Sequence, residues 1–204
     1  MTNIMKRVVI NNSNLLEYLK KKYNVENIQN CIKVNQLFGM EPLLQEDFGG
    51  DNDCTLTAIA TILMKYTDAD PTTIYSVVAK HGKKLGYTDK GGTNPLVMRT
   101  VMNLSAKELG VKKKAVVRYG KNVSYNFAGI KQHIDAGRPL MLSMFKDGRD
   151  FYDDHSIVVI GYGEYKIDNK RKAKMLKVYD NWYKEVCYVD YDLIHTFSSI
   201  HYYI

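Results

Sequence analysis

From Cys54 to Met64 the chain carries no charged side chain, and its apolar residues leave no face for water. Leu56, Ile59, Ala60 and Leu63 recur at i, i+3, i+4 and i+7, the period of one helix face. Ala58, Ile62 and Met64 fill the remaining sides. A helix that is apolar nearly all round is stable only when other elements cover it on every side. The spacing predicts this helix from about Cys54 to Tyr66, capped by Asp51-Asn52-Asp53 after a flexible Phe48-Gly49-Gly50 turn. The 204 residues are enough to wrap it within one domain.

The segments on either side differ in kind. On the N-terminal side, Asn11 to Tyr23 reads as a short amphipathic helix with Ser13 as N-cap, and residues 24–50 show no period. Asp70-Pro71 opens a helix to about Lys80. His81 to Asn94 reads as a loop with Gly82, Gly86, Gly91 and Gly92. Asn94-Pro95 opens a further helix, with Met98, Val101, Met102 and Leu109 on one face and Gly110 at its end. Beyond it, strands are expected at Ala115–Tyr119, Leu140–Phe145, Ser156–Tyr162, Lys174–Asp180, Val186–Val189 and Ser199–Tyr203, with a short helix over Phe127–Ala136. Helices first and antiparallel strands after make an α+β pattern. With no repeat and no linker, residues 1–204 read as one domain, with 1–45 a helix and extended segment at its periphery.

Composition narrows the classes of function. A hydrophobic fraction of 45% and a charged fraction of 25% exclude general disorder. No apolar run approaches the roughly 20 residues of a membrane span. The stretch Val8-Val9-Ile10 is too short for a signal peptide, so a cytoplasmic protein, or a secreted one with its signal removed, is expected. The formal charge of +7 comes mostly from lysine in short clusters at the ends of predicted elements, such as Lys20-Lys21-Lys22 and Lys112-Lys113-Lys114. Nucleic-acid readers lean instead on arginine forks and stacked aromatics, so no specific nucleic-acid partner is expected. Cys31, Cys54 and Cys187 form no Cys-x-x-Cys and no metal-type pair with histidine. No disulfide framework, metal or cofactor is expected, and at least one thiol stays free within a monomer.

Of these thiols, Cys54 stands where a helix start carries about half a positive charge and unpaired N–H groups, which favour a thiolate and an oxyanion. Asp51 and Asp53 act against it by raising the thiol. His155 precedes the apolar strand Ser156–Tyr162, placed by a rigid element with its ring reachable. It is the natural general base for an activated cysteine. Asp180-Asn181-Trp182 closes the next strand. Alternation puts Asp180 and Trp182 on one side and Asn181 on the other. A carboxylate or amide there can accept the histidine N–H, with Trp182 shielding the bond. Packing accounts for a cysteine, a strand-end histidine and a turn of this kind as well, each taken singly.

Taken together, these segments resemble the papain-like cysteine peptidases along nearly the whole chain. Gly50-Asp51-Asn52-Asp53-Cys54-Thr55 is similar to the loop and Cys-headed helix of that family. Gly91-Gly92-Thr93-Asn94-Pro95 resembles its Gly-Gly substrate strand. Asp154-His155-Ser156-Ile157-Val158-Val159-Ile160-Gly161-Tyr162-Gly163 is the most specific match, and Asp180-Asn181-Trp182 is similar to Asn-Ser-Trp. Asp in place of Asn occurs in C39-like relatives. The resemblance implies a helical half carrying Cys54 packed on an antiparallel β half carrying His155 and Asp180, with the cleft between them. It implies hydrolysis of peptide or isopeptide bonds through a thioester, with Asp180 orienting His155. Asn181 is the competing orienter, and Asn181→Ala is expected to matter little. The family's oxyanion glutamine stands six residues before the cysteine, where this chain has Phe48. Gln45 fits if the loop is three residues longer, and Asn52 is the other amide. Gly91, Gly92, Asn52, Asp154 and Trp182 would contact a peptide or protein substrate. Another cysteine-dependent amidase or acyltransferase, an inactive peptide binder and a basic binding module remain as alternatives; a thiol-reactive probe separates the enzymes from the rest.

Overall fold

The computed structural model describes residues 9–50, 52–120, 126–145, 154–194 and 198–204. In chain order these residues form β1 (Ile10–Asn11), α1 (Leu15–Tyr23), β2 (Asn30–Gln36), α2 (Cys54–Leu63), α3 (Pro71–Lys84) and α4 (Met98–Glu108). They continue through β3 (Ala115–Tyr119), α5 (Phe127–Asp135), β4 (Leu140–Met144), β5 (His155–Lys166), β6 (Lys172–Tyr179), β7 (Cys187–Asp190) and β8 (Ser198–Tyr203). The strands make one antiparallel sheet in the order β1-β7-β6-β5-β4-β8-β3, with β2 also pairing to β5. The architecture is the α+β, papain-like one: helices α2, α3 and α4 pack together, and α2 lies on β5 and β4.

Every residue of α2 from Thr55 to Leu63 is buried, as its uncharged sequence demands. Beneath it, β5 is buried from His155 to Gly163, so its core strand is a nearly continuous apolar run rather than an alternating one. Asp70 caps α3 as expected, its carboxylate accepting the Thr73 N–H at 2.9 Å.

Three local expectations give way to the structure. Ser13 does not cap α1. Its N–H and hydroxyl go to Asn11 Oδ1 at 3.0 and 2.7 Å, and α1 begins only at Leu15, after a turn closed by Asn14 Oδ1 on the Asn11 N–H. Gly82 lies inside α3 rather than in a loop. A Cβ there would stand 2.7 Å from Leu56 Cδ2, so the missing side chain is what lets α3 approach α2. Residues 24–50, which show no period, contain β2, and its register runs from Asn30 opposite Lys166 to Gln36 opposite Gly161. Residues 30–34 are exposed, so no inward and outward alternation marks this strand in the sequence. From residue 9 onward, the first 45 residues contribute two strands and the buried Gln45 to this sheet and its core.

The crossing of β2 over β5 depends on Gly161, where the β5–β6 register also shifts. A Cβ on Gly161 would meet the Asn35 carbonyl at 2.4 Å and Gln36 Cα at 3.1 Å, and backbone cannot swing aside as a side chain can. Gly161→Ala is therefore expected to lower stability by about 1–3 kcal/mol, as overpacking does. Urea unfolding measures this, and an unchanged midpoint would show that β2 is not held at that distance.

Candidate active site

Cys54 is the first residue of α2 and is half-buried, at the mouth of the helix rather than in its core. Burial is the largest influence on its thiol and raises it. The N–H of Ser156 and the hydroxyl and N–H of Thr55 hydrogen-bond the sulfur and lower it, while the charge of Asp53 raises it again, and the net direction is upward. Asp53 makes no side-chain cap on α2. Its fully buried carboxylate turns away, Oδ1 accepting Gln45 Nε2 at 3.0 Å and Oδ2 accepting the Tyr75 hydroxyl at 2.5 Å. Asp51, the other expected cap residue, lies outside the described residues.

His155 begins β5 and is buried against Trp182, the two rings stacked at 4.0 Å with 20° between their planes. Its Nε2 lies 2.8 Å from the backbone carbonyl of Asp180. A carbonyl oxygen can only accept, so Nε2 carries the proton and Nδ1 is the basic nitrogen of the neutral ring. The group of Asp180 that meets the ring is therefore its carbonyl, where the sequence pattern suggested its carboxylate. The carboxylate closes the turn instead, Oδ1 accepting the N–H groups of Trp182 at 3.0 Å and Tyr183 at 3.1 Å. It is fully buried, and this burial raises its carboxyl above the usual range.

Asn181, the competing orienter, is also fully buried and takes a left-handed φ of 67°. Its Nδ2 donates to the Ser156 carbonyl at 2.8 Å and to the Cys54 carbonyl at 3.2 Å. One side-chain amide thus ties the start of the cysteine helix to the histidine strand, while the backbone carbonyl of Asn181 accepts the Gln45 N–H at 2.9 Å. The only sequence signal for this is that asparagine tolerates the left-handed region better than most residues.

A cavity of about 340 Å³ opens between the two halves. Of the candidate residues it brings together Cys54, His155, Asn52, Gly91, Gly92 and Asp154, over a floor that includes Met98, Ser143 and Ser156. Gln45, Asp180 and Trp182 are not part of this lining. Asn52 Nδ2 donates to the Asp89 carbonyl at 2.6 Å, fastening the cysteine loop to the glycine loop. The Gly91-Gly92 segment is a tight turn: Gly92 exchanges both backbone hydrogen bonds with Thr88, at 2.8 and 3.2 Å, with a φ of +63°. Among the described residues, no group of three or more His, Cys, Asp or Glu side chains can hold a metal ion. Cys187 is buried near the Asp180 carboxylate, and burial and that charge both push its thiol up, so it stays protonated. Cys31 is exposed on β2 and does not line the cavity.

Two outcomes are expected from this geometry. Asn181→Ala removes the amide donor that the Ser156 and Cys54 carbonyls share and should cost about 1–3 kcal/mol, read as a lower urea midpoint; an unchanged midpoint would mean the tie is dispensable. For Asp180, a raised folded value means the native state holds a proton that the unfolded chain has released. Its burial cost is therefore absent in acid, grows as pH rises from the ordinary carboxylate value through the raised one, and is constant above. Asp180→Asn keeps an oxygen for the two N–H groups, so it should melt above the native protein at pH 8, with the gap closing below about pH 4. Parallel melting at both pH values would contradict this.

Comparison with known proteins supplies an independent reading of the same residues. A comparison with curated proteins returns no match. The profile described as Peptidase_C39 like family matches residues 28–203, taking in Cys54, His155 and every strand from β2 to β8. A match of that extent, on a papain-like α+β fold, shows that the chain belongs to the Peptidase_C39 like family.

Proposed function

We propose that the protein is a cysteine peptidase that hydrolyses peptide or isopeptide bonds through a thioester. The observation that carries this reading is that Cys54 and His155 open on one cavity while the far nitrogen of the ring is held by an acceptor-only carbonyl. With Nε2 protonated, Nδ1 takes the Cys54 thiol proton as sulfur attacks the substrate carbonyl carbon. The imidazolium then gives that proton to the leaving amine. Water enters, His155 takes a proton from it, and the thioester breaks to release the acid and restore the thiol. Membership of the family supports the peptide or protein substrate.

The oxyanion would be received by N–H groups at the start of α2, which a helix leaves outside its own ladder. Gln45 and Asn52 are the two amides that can add to them. Each spends one hydrogen, on Asp53 and on Asp89 respectively, and each keeps a second. Asn52 lines the cavity, while Gln45 is the buried amide held rigid by a carboxylate. Gly91, Gly92 and Asp154 would form the walls against the substrate, and Trp182 would keep water from the His155 bond. One observation favours a second reading, peptide binding without turnover: burial and Asp53 leave the Cys54 thiol above its ordinary value.

A peptide library read by mass spectrometry tests both. Cys54→Ala and His155→Ala should abolish cleavage while circular dichroism is unchanged; full turnover by folded Cys54→Ala would sink the assignment, and binding without cleavage by the native chain would favour the second reading. Because the carbonyl of Asp180 sets the tautomer, Asp180→Asn should stay within about threefold of the native rate. Asp180→Ala loses the turn and should fall further, toward the roughly 100-fold that a mispositioned general base costs. Of Gln45→Ala and Asn52→Ala, the one that removes the oxyanion donor should lower kcat by about 100- to 1000-fold. A loss under about fivefold from both would assign the hole to backbone alone.

A further inference from the structure

Three hydroxyls lie under the nucleophile, on three different elements, and none is needed for the reaction as written above. Thr55 Oγ1 on α2 is 2.8 Å from Ser156 Oγ on β5, and Ser156 Oγ is 2.8 Å from Ser143 Oγ on β4. Ser143 Oγ in turn stands 3.6 Å from Met98 Sδ on α4. All three residues are at most 3% exposed, in strands and a helix whose neighbouring positions are apolar. Ser143 and Ser156 face each other in the β4–β5 register, so the sheet itself sets their spacing.

A buried hydroxyl needs a partner, and here each finds one in the next. Each has one hydrogen, so a line of three can donate out at one end only, never at both at once. The line has a sulfur at both ends: the Met98 thioether at one, and the Cys54 sulfur, which the Thr55 hydroxyl hydrogen-bonds, at the other. A thioether is a weak acceptor, a neutral thiol is little better, and a thiolate is a strong one. The charge on Cys54 therefore decides which way the line points. Among the described residues, the side-chain hydrogen bond that lowers the Cys54 thiol comes from Thr55, the end of this line.

We propose that Thr55, Ser156 and Ser143 form a switchable hydroxyl chain that stabilises the Cys54 thiolate. In the thiolate state Ser143 donates to Ser156, Ser156 to Thr55 and Thr55 to sulfur. In the thiol and thioester states the three hydroxyls rotate and the line ends on Met98. Each hydroxyl keeps its own proton throughout, so no bond is made or broken and the chain moves no charge. It favours sulfur when sulfur attacks and again when it leaves, which offsets part of the burial that raises the thiol. Thr55 touches the reacting atom, and Ser156 and Ser143 are positioning residues that act through it. The proposal rests on Cys54 being the nucleophile proposed above.

The test is the pH profile of Cys54 alkylation by iodoacetamide, followed by peptide mass spectrometry, which needs no peptide substrate. Among the described residues, the titratable and charged groups around Cys54 are Asp53 ahead of its helix, Tyr87 and Lys90 from the glycine loop, and Asp154 and His155 at the start of β5. The profile is therefore recorded in the native chain and in His155→Ala, which removes the strongest competing titration. Thr55→Val keeps the shape and removes the hydroxyl. In both backgrounds it should move the alkylation midpoint up by about one pH unit, a roughly tenfold loss of thiolate below the midpoint. Thr55→Ser should restore the native profile. Ser143→Ala, two hydroxyls away, should move it about a third as far, with Ser156→Ala between. Folded Thr55→Val with a midpoint unchanged in both backgrounds overturns the chain, as does Thr55→Ser shifting as far as Thr55→Val. If Thr55→Val does not fold, Ser143→Ala and Ser156→Ala decide: graded upward shifts support the chain, and unchanged midpoints in both overturn it. A native chain that alkylates at Cys54 with the expected shifts yet cleaves no peptide would fail the peptidase reading alone.

Discussion

Burial of α2 is the constraint on which the rest depends. Leu56, Ile59, Ile62 and Leu63 are all fully removed from water, and each such side chain contributes about 1.5–3 kcal/mol relative to exposure. That sum is an upper bound, because the unfolded chain already hides part of the same surface. It is nonetheless large enough to dictate what must surround the helix. The sheet must present β5 and β4 to one side of the helix, and α3 must press close on another, which Gly82 permits. Once the helix is seated, its first residue has no freedom left, and Cys54 is carried to the cavity mouth by the packing of the core behind it.

Polar contacts then register the histidine strand against that helix. Asn181 grips the carbonyls of Cys54 and Ser156 together, and the hydroxyl of Thr55 meets that of Ser156. These bonds lie where water is excluded, so leaving any one unmade costs more than making it gains. Their effect is positional: a sulfur and an imidazole on different elements are held at one cavity by residues that take no part in proton transfer. The same preference for neutral partners marks the His155 ring. A backbone carbonyl fixes which nitrogen is basic, as a carboxylate would, and does so without a second full charge at the ring.

Two negative charges nearby, Asp53 and Asp180, are buried and turned aside. Asp53 is occupied by Gln45 and Tyr75, and the latter stacks on Phe48 at 3.9 Å. Asp180 is occupied by the turn it closes. Each carboxylate holds a loop in shape, and each raises a neighbouring thiol, Cys54 in one case and Cys187 in the other. For Cys187, burial and the neighbouring Asp180 charge together keep the thiol protonated. For Cys54, hydrogen bonds from Thr55 and Ser156 oppose the effect. At Cys54 burial still sets the net direction, and what opposes it is a set of hydrogen-bond donors.

Much of this was legible in one dimension. The uncharged run from Cys54 to Met64 dictates a buried helix, and the apolar runs after Ala115 dictate strands, because periodicity and burial are properties of neighbouring residues. The spacing of Cys54, His155 and Asp180 and the motif around His155 pointed to the family for the same reason. What the sequence could not convey depends on groups without a side-chain signature. β2 is recognised only by pairing with β5, since its exposed face shows no alternation. The partner of His155 is a backbone carbonyl, which every residue possesses, so no choice between Asp180 and Asn181 side chains could have found it. Asn181 looked like a turn residue until a left-handed φ turned its amide inward onto two distant carbonyls. Sequence determined which elements form and which residues are chemically able; only the tertiary structure decided which atoms face each other, because that follows from how twisted strands and packed helices meet.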